Sequence, residues 1–429
     1  MKRFISCFLL IFIMLNQFTV LATQKNIDAI SAPTYLLMDG INDAVMYEEG
    51  CNTNLAINNF AKIMTAILSI EKFAPNDILT FTDETNVFYG NGFGNIAYTK
   101  PGLTYTVKNH LENMLLLFSD ASAIALAKAH SGSEEAFVSA MNNRAKELLM
   151  NDTLFVSSDG HDTVTSQGKT TVYDLYKLMK HAMSLPLFQQ IMKEVTIELP
   201  NTSGGVTPYT SRNHLISKFT YSSFVYSPAV AGFISYNQDS SSFIAVCEKS
   251  GNTIYSLVMN TPDNATQVYK DIINLSEHGY NSYSSVILAK KGSFLHQVPL
   301  KFASSSDAVL VLKSDISAQL PLNYDEADIT YKTTSPKSVT APIKQGEDLG
   351  SITYYYKDNK LATGILVAEK DISFSLFGWL FRLFSKVNGW LLLLILASGL
   401  LVVNLVTKKA RKKEELKRRK REILDNNDK

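Results

Sequence analysis

Residues 55–71 carry apolar side chains at Phe60, Ile63, Met64, Ile67, Leu68 and Ile70, the 3.6-residue rhythm of a helix buried on one broad face. A helix apolar over so wide an arc has to sit inside a larger body of protein, so the rest of the chain is organised around it. Asn58 or Asn59 stands at the N-cap position, where an amide oxygen can accept the orphan N–H groups of the first turn. Lys62 follows Asn59 by three residues, which puts both side chains on one face. Taken alone, an N-x-x-K at a helix start is a capped core helix with one lysine near its beginning.

Upstream, residues 32–47 read as two short strands around an Asp39-Gly40 turn. Downstream, Pro75-Asn76-Asp77 ends the helix, and a loop rich in Asn and Gly runs to Pro101-Gly102. Helical spacing returns at Leu111, Met114, Leu115 and Phe118, again at Ile124, Leu126 and Ala127, and in residues 134–150 and 170–186, the last ended by Pro186. After Gly279 the pattern becomes short alternating runs with a hairpin turn at Asp358-Asn359, so residues 280–372 are expected to form a small all-β domain. Residues 373–388 are apolar nearly all round and read as a helix lying in a membrane interface, with a buried core helix as the alternative. Residues 390–406 are uncharged and about long enough to cross a bilayer, so 389–407 is the expected transmembrane helix.

The formal net charge is +1, but residues 408–429 hold eleven Lys/Arg against five Asp/Glu. That basic tail is expected to stay in the cytoplasm and to lie on anionic lipid. The remainder is mildly acidic, which gives no electrostatic case for nucleic acid. Residues 1–22 read as a cleaved secretory signal, with Lys2-Arg3, an apolar stretch and Val20-Leu21-Ala22; an uncleaved anchor is the alternative. Cys7 precedes most of that apolar stretch and is badly placed for lipidation. Cys51 and Cys247 are left in the exported part, paired or as isolated thiols. No Cys/His cluster has metal-ligand spacing, and no cofactor is expected.

Residues 61–73, AKIMTAILSIEKF, together with 111–155 and 212–216, RNHLI, resemble the serine-type D-alanyl-D-alanine carboxypeptidases, the low-molecular-mass penicillin-binding proteins. The resemblance covers about residues 32–279. It implies an α/β penicillin-recognising domain over residues 23–279, an antiparallel sheet flanked by a helical cluster. It also implies a peptidoglycan setting, in which members trim the terminal D-alanine of stem peptides. Residues 341–356 are similar to the β-rich domain that follows the peptidase domain in many members.

Three family motifs are degraded. In S-x-x-K the serine attacks the substrate; here Lys62 matches the lysine, but Asn59 holds the nucleophile position, and a carboxamide has no hydroxyl to deprotonate. The S-x-N motif reads Ser119-Asp120-Ala121, with its substrate-holding asparagine replaced by Ala121. The K-T-G motif, which engages the substrate carboxylate, reads Val230-Ala231-Gly232, of which Gly232 alone persists. Losing the nucleophile of a serine protease costs on the order of 10⁶ in turnover. The expectation is an anchored, wall-facing homologue that no longer hydrolyses and acts by binding or regulation, with a protein partner favoured over the stem peptide. The alternative is a working carboxypeptidase using a displaced serine: Ser69 of a literal S-x-x-K (Ser69 to Lys72), Ser119, or one of Ser240 to Ser242.

Overall fold

The computed structural model describes residues 30–83, 99–162, 165–217, 222–237, 239–262, 266–385 and 389–427, with backbone alone at 222, 294–295, 381–385, 389–396 and 418–427. The expected signal at 1–22 lies outside the described residues. The chain folds into two compact units, one made mainly of residues up to Val286 and one made mainly of residues after it.

The first unit is built on a five-stranded antiparallel sheet. Its strands are β1 (Thr34–Asp39), β2 (Ala44–Glu49), β3 (Ala229–Tyr236), β4 (Ser240–Lys249) and β5 (Asn252–Pro262), in the order β2-β1-β5-β4-β3. β1 and β2 are the expected strands around the Asp39-Gly40 turn. All six residues of β1 are buried, as a strand covered on both faces requires. The helix α7 (Gln267–Ser282) packs on β4 and β5.

The helical cluster comprises α1 (Ala61–Lys72), α2 (Val107–Leu117), α3 (Asp120–Ser131), α4 (Glu134–Glu147), α5 (Val172–Ala182) and α6 (Pro186–Met192). α1 lies at its centre, packed by α2, α3, α4, α5 and α6, and every residue from Ala61 to Ser69 is buried. Pro186 ends nothing by itself: α5 has already stopped at Ala182, and Pro186 opens α6, where its missing N–H is no loss. The helical rhythm at 111–127 hides a break at Phe118, whose φ of 63° ends α2 in a left-handed cap. That conformation is a genuine outlier for a bulky side chain.

The second unit is all-β, as expected. Strands β6 (Phe294–Lys301), β7 (Asp307–Leu312), β8 (Ile329–Thr334), β9 (Val339–Thr340), β10 (Asp348–Tyr356) and β11 (Asn359–Ala368) form one sheet, ordered β8-β10-β11-β7-β6-β9. The β10–β11 turn falls at Lys357-Asp358, one residue before the expected place. Both residues take positive φ, 48° and 68°, as a two-residue type I′ hairpin loop requires. Two helices follow, α8 (Leu376–Ser385) and α9 (Gly389–Asn427). Among the described residues no helix is long and apolar enough to cross a membrane; the side chains of the expected span are described only from residue 397 onward.

Candidate functional site

The start of α1 differs from the expected cap. Asn58–Phe60 form a single 3₁₀ turn, the residue preceding the α-helix is Phe60, and neither asparagine makes a side-chain cap. The reason lies in where the Asn59 amide points: its Oδ1 accepts a hydrogen bond from Lys62 Nζ at 3.0 Å. Asn58 takes a positive φ of 44°, and the loop at Gly160 presses against it. Gly160 has φ 94°, and a Cβ there would lie 1.9 Å from the Asn58 carbonyl oxygen, so no other residue fits.

Lys62 is fully buried. Its ammonium donates to Asn59 Oδ1, to the Asp159 carbonyl oxygen at 2.6 Å, and to Asp120 Oδ1 at 2.8 Å. Three N–H groups thus meet three acceptors, and no hydroxyl is among them. Thr65 Oγ1 donates to the Ser158 carbonyl oxygen at 2.6 Å, so two rungs tie the loop at 158–160 along α1. Asp120 can reach Lys62 because the chain turns at Phe118 and restarts as α3 with Asp120 first, where a carboxylate also favours the helix N-terminus.

Asp159 extends the network. Its Oδ2 lies 3.2 Å from His161 Nδ1, and its Oδ1 accepts from the His161 backbone N–H at 3.0 Å. Burial acts to raise the Asp159 carboxyl, but the His161 ring and the Lys62 ammonium outweigh it and hold the group at about 2. The same hydrogen bond raises His161 above its ordinary value, helped by the charges of Asp159 and Asp120 and opposed by burial and Lys62. Asp120, Asp159 and His161 bring three potential ligand atoms within 4.8 Å of one another. The cation of that cluster is already present: Lys62 sits against Asp120 and supplies the charge a metal would bring.

The other sequence candidates are placed as follows. Ser119 is the N-cap of α3, its Oγ accepting from the Ser122 N–H at 3.2 Å. Ala121 is buried within α3, and the residue meeting Lys62 is its predecessor Asp120. Val230, Ala231 and Gly232 lie on β3 at the sheet edge. A Cβ on Gly232 would lie 2.7 Å from the Phe243 ring and 2.9 Å from Asn213 Nδ2, so this glycine is required by close packing. Ser69 is fully buried and donates to the Thr65 carbonyl at 2.7 Å, while Lys72 donates to the His130 carbonyl, so the second S-x-x-K does not assemble. Ser240 bonds Asn237 and Ser242 bonds the Asn260 N–H. Cys51 and Cys247 are separate buried thiols, each pushed up to about 12 by burial.

Between α1, α3 and β3 the space is aromatic. Phe233 lies 6.1 Å from Phe60 and 5.3 Å from Phe118, ring centre to ring centre, and the three are 0, 2 and 3% exposed. The Arg212 guanidinium stacks on Phe118 at 5.6 Å.

A family description for D-alanyl-D-alanine carboxypeptidases matches residues 19–263, and one for the C-terminal domain of penicillin-binding protein 5 matches residues 283–373. The chain belongs to the D-alanyl-D-alanine carboxypeptidase family. Among this family homologue's relatives, the D-alanyl-D-alanine carboxypeptidase DacF of Bacillus subtilis is 24% identical over 381 residues, covering 87% of this chain and 95% of DacF. DacD of Escherichia coli is 22% identical, covering 80% and 87%. Two solved structures share the fold over 80% of the chain. A peptidoglycan synthesis regulatory factor (PBP3) of Streptococcus pneumoniae has a TM-score of 0.68 at 18% identity, with all of that chain covered. Penicillin-binding protein 5 of Haemophilus influenzae gives 0.64 at 17%, with 98% covered.

Sequence reasoning missed Asp120, Asp159, His161 and Phe118 as members of this constellation. Asp120 stood in plain view between Ser119 and Ala121. Asp159 and His161 flank a glycine in a turn-like run, Ser157-Ser158-Asp159-Gly160-His161, which carries no spacing relation to Lys62.

Proposed function

We propose that this carboxypeptidase homologue does not hydrolyse stem peptides and acts in peptidoglycan metabolism as a binding or regulatory protein. The observation that carries the reading is the state of Lys62. In the family's S-x-x-K the lysine serves a serine; here its partners are an amide, a carbonyl and the Asp120 carboxylate. A nucleophile needs a hydroxyl within hydrogen-bond reach of its base. The aromatic packing points the same way. Phe118, the residue before Ser119, packs its ring on Phe233, which also meets Phe60. Val230 and Ala231 offer no charge or hydroxyl to a substrate carboxylate, so a protein partner in the wall is favoured over the stem peptide.

The chain is proposed to be a single-pass membrane protein with its large part outside the cell and residues 408–429 in the cytoplasm. Support comes from the uncharged run 390–406 within one continuous helix, from the exposed apolar side chains Leu400, Leu401, Val402, Val403, Leu405 and Val406, and from the basic residues that follow. Residues 1–22 serve as the export signal in this reading.

Labelling with a fluorescent penicillin tests the chemistry. Purified full-length protein is expected to give no covalent adduct beside an active carboxypeptidase that labels fully. A stoichiometric adduct on any serine would establish the working-enzyme alternative. Proteolysis of intact cells tests the topology: the β-rich domain is expected to be cut from outside, with the tail protected.

A further inference from the structure

The three acceptors around the Lys62 ammonium differ in kind. Asp159 offers a backbone carbonyl, Asp120 a carboxylate and Asn59 a primary carboxamide. Only the carboxamide can release a small neutral group, ammonia, to an attacking amine. A carboxylate resists nucleophiles through its own charge, and the backbone carbonyl gives up nothing short of chain cleavage.

The geometry favours that attack. Lys62 Nζ lies 3.0 Å from Asn59 Oδ1. A carbonyl bond is about 1.2 Å long, so Asn59 Cγ is no farther than about 4.2 Å from the nitrogen. Reacting atoms need to come within about 3–3.5 Å, which small torsions of two side chains three residues apart on one helical turn supply. A proton acceptor is in place as well: Asp120 Oδ1 lies 2.8 Å from the same nitrogen. The Lys62 and Asp120 side chains are 0 and 7% exposed, so bulk water is kept from both. A proton passing from Lys62 to Asp120 discharges a pair that burial penalises and leaves the neutral amine, which is the nucleophilic form. Asn59 is half-buried, which gives ammonia a route to solvent.

We propose that Lys62 and Asn59 condense to an isopeptide bond within the first turn of the helix, with Asp120 carrying the proton. The arrangement in the structure is the reactant state. Asp120 takes one proton from the ammonium, and Nζ bonds to Cγ. Asp120 then passes its proton to Nδ2 as it takes a second from Nζ, the Cγ–Nδ2 bond breaks, and ammonia leaves. The products are a neutral secondary amide and a protonated Asp120, so no buried charge is stranded. Nothing is oxidised or reduced, and no co-reactant is consumed. The bond goes beyond the loss of a hydroxyl at position 59, because it removes the lysine's basicity permanently.

Mass spectrometry of the denatured full-length protein reads the bond. The wild-type chain is expected to have lost one ammonia, about 17 Da. Trypsin is expected not to cut after Lys62, so that a single peptide of residues 26–72 carries the loss in place of 26–62 and 63–72. Lys62→Arg keeps the positive charge without a primary amine and is expected to show no loss in this region. Asp120→Asn is expected to leave the bond unformed in freshly purified protein; a wild-type yield would overturn the part given to Asp120. A full mass with normal cleavage after Lys62 overturns the proposal without recourse to a variant. So does an ammonia loss that leaves Lys62 cleavable, the mark of a cyclised asparagine or glutamine, or a loss of water that joins Lys62 to Asp120. None of these readings depends on penicillin labelling, so the bond and the inert reading stand or fall separately.

Discussion

Removing one half of the Lys62–Asp120 pair is the most informative perturbation of this protein. Two unit charges 2.8 Å apart attract by about 6 kcal/mol at an effective dielectric of about 20. Desolvation takes back several kcal/mol for each ion, so the intact pair is close to neutral for stability. Either half alone is not neutral. Lys62→Met leaves the Asp120 carboxylate, whose side chain is 7% exposed, without its cation, and leaves Asn59 Oδ1 and the Asp159 carbonyl without a donor. Asp120→Asn leaves a fully buried ammonium with neutral acceptors only. Each single change is expected to cost about 3–5 kcal/mol. The double variant is expected to cost clearly less than the sum, because neither orphaned charge remains. Tryptophan fluorescence cannot follow this, since the two tryptophans, Trp379 and Trp390, lie outside the first unit. Hydrogen exchange read by mass spectrometry on peptides from α1 and α3 can. For amides that exchange through opening of the unit, each single variant should exchange about 10²- to 4 × 10³-fold faster. Acceleration of less than about fivefold, equivalent to about 1 kcal/mol, or strict additivity in the double variant, would refute the view that this network is a closed, buried ion pair.

Three further outcomes follow from the geometry. His110 is fully buried between Phe81 and Tyr105 and is lowered to about 4, by burial and against its bond to the Leu79 carbonyl. The unfolded chain therefore takes up a proton that the folded chain refuses between about pH 6.5 and 4, and stability should fall by about 3 kcal/mol as pH drops through that window; urea titrations of His110→Leu should lack this slope. Asp159 is depressed, so its contribution is present above about pH 4 and is lost as pH falls towards 2. NMR titration of Asp159→Asn should show His161 falling from its raised value, and an unchanged His161 midpoint would remove Asp159 as the cause. At Phe118, φ 63° favours glycine, so Phe118→Gly should be more stable than Phe118→Ala by about 1 kcal/mol in thermal unfolding, the reverse of the usual order inside helices.

How far the sequence carried the fold depends on the kind of interaction each segment uses. Periodicity located α1, the strands around Asp39-Gly40 and the all-β second unit, because a repeating apolar face is a local property that a window of residues records. It ran α2 into α3, because apolar residues continue through both helices and the break rests on a backbone angle at Phe118 that no residue type announces. It also assigned the start of α1 to an asparagine cap, when Asn59 is drawn to Lys62 instead. That error and the missed Asp120 have one origin. A capping rule treats a side chain as serving its own helix, whereas a fully buried ammonium requires every acceptor within reach, including a carbonyl 97 residues away. Motif comparison marked Asn59 as a lost serine and stopped at the loss. The structure adds the other partners of Lys62, a carboxylate at Asp120 and a third acceptor from the Asp159 loop, so that its ammonium carries no unfilled bond. Under that arrangement an Asn59→Ser change would return the hydroxyl to a lysine still held by Asp120. On the non-hydrolysing reading proposed above, restoring turnover would require the ion pair to be dismantled as well as a serine placed at 59.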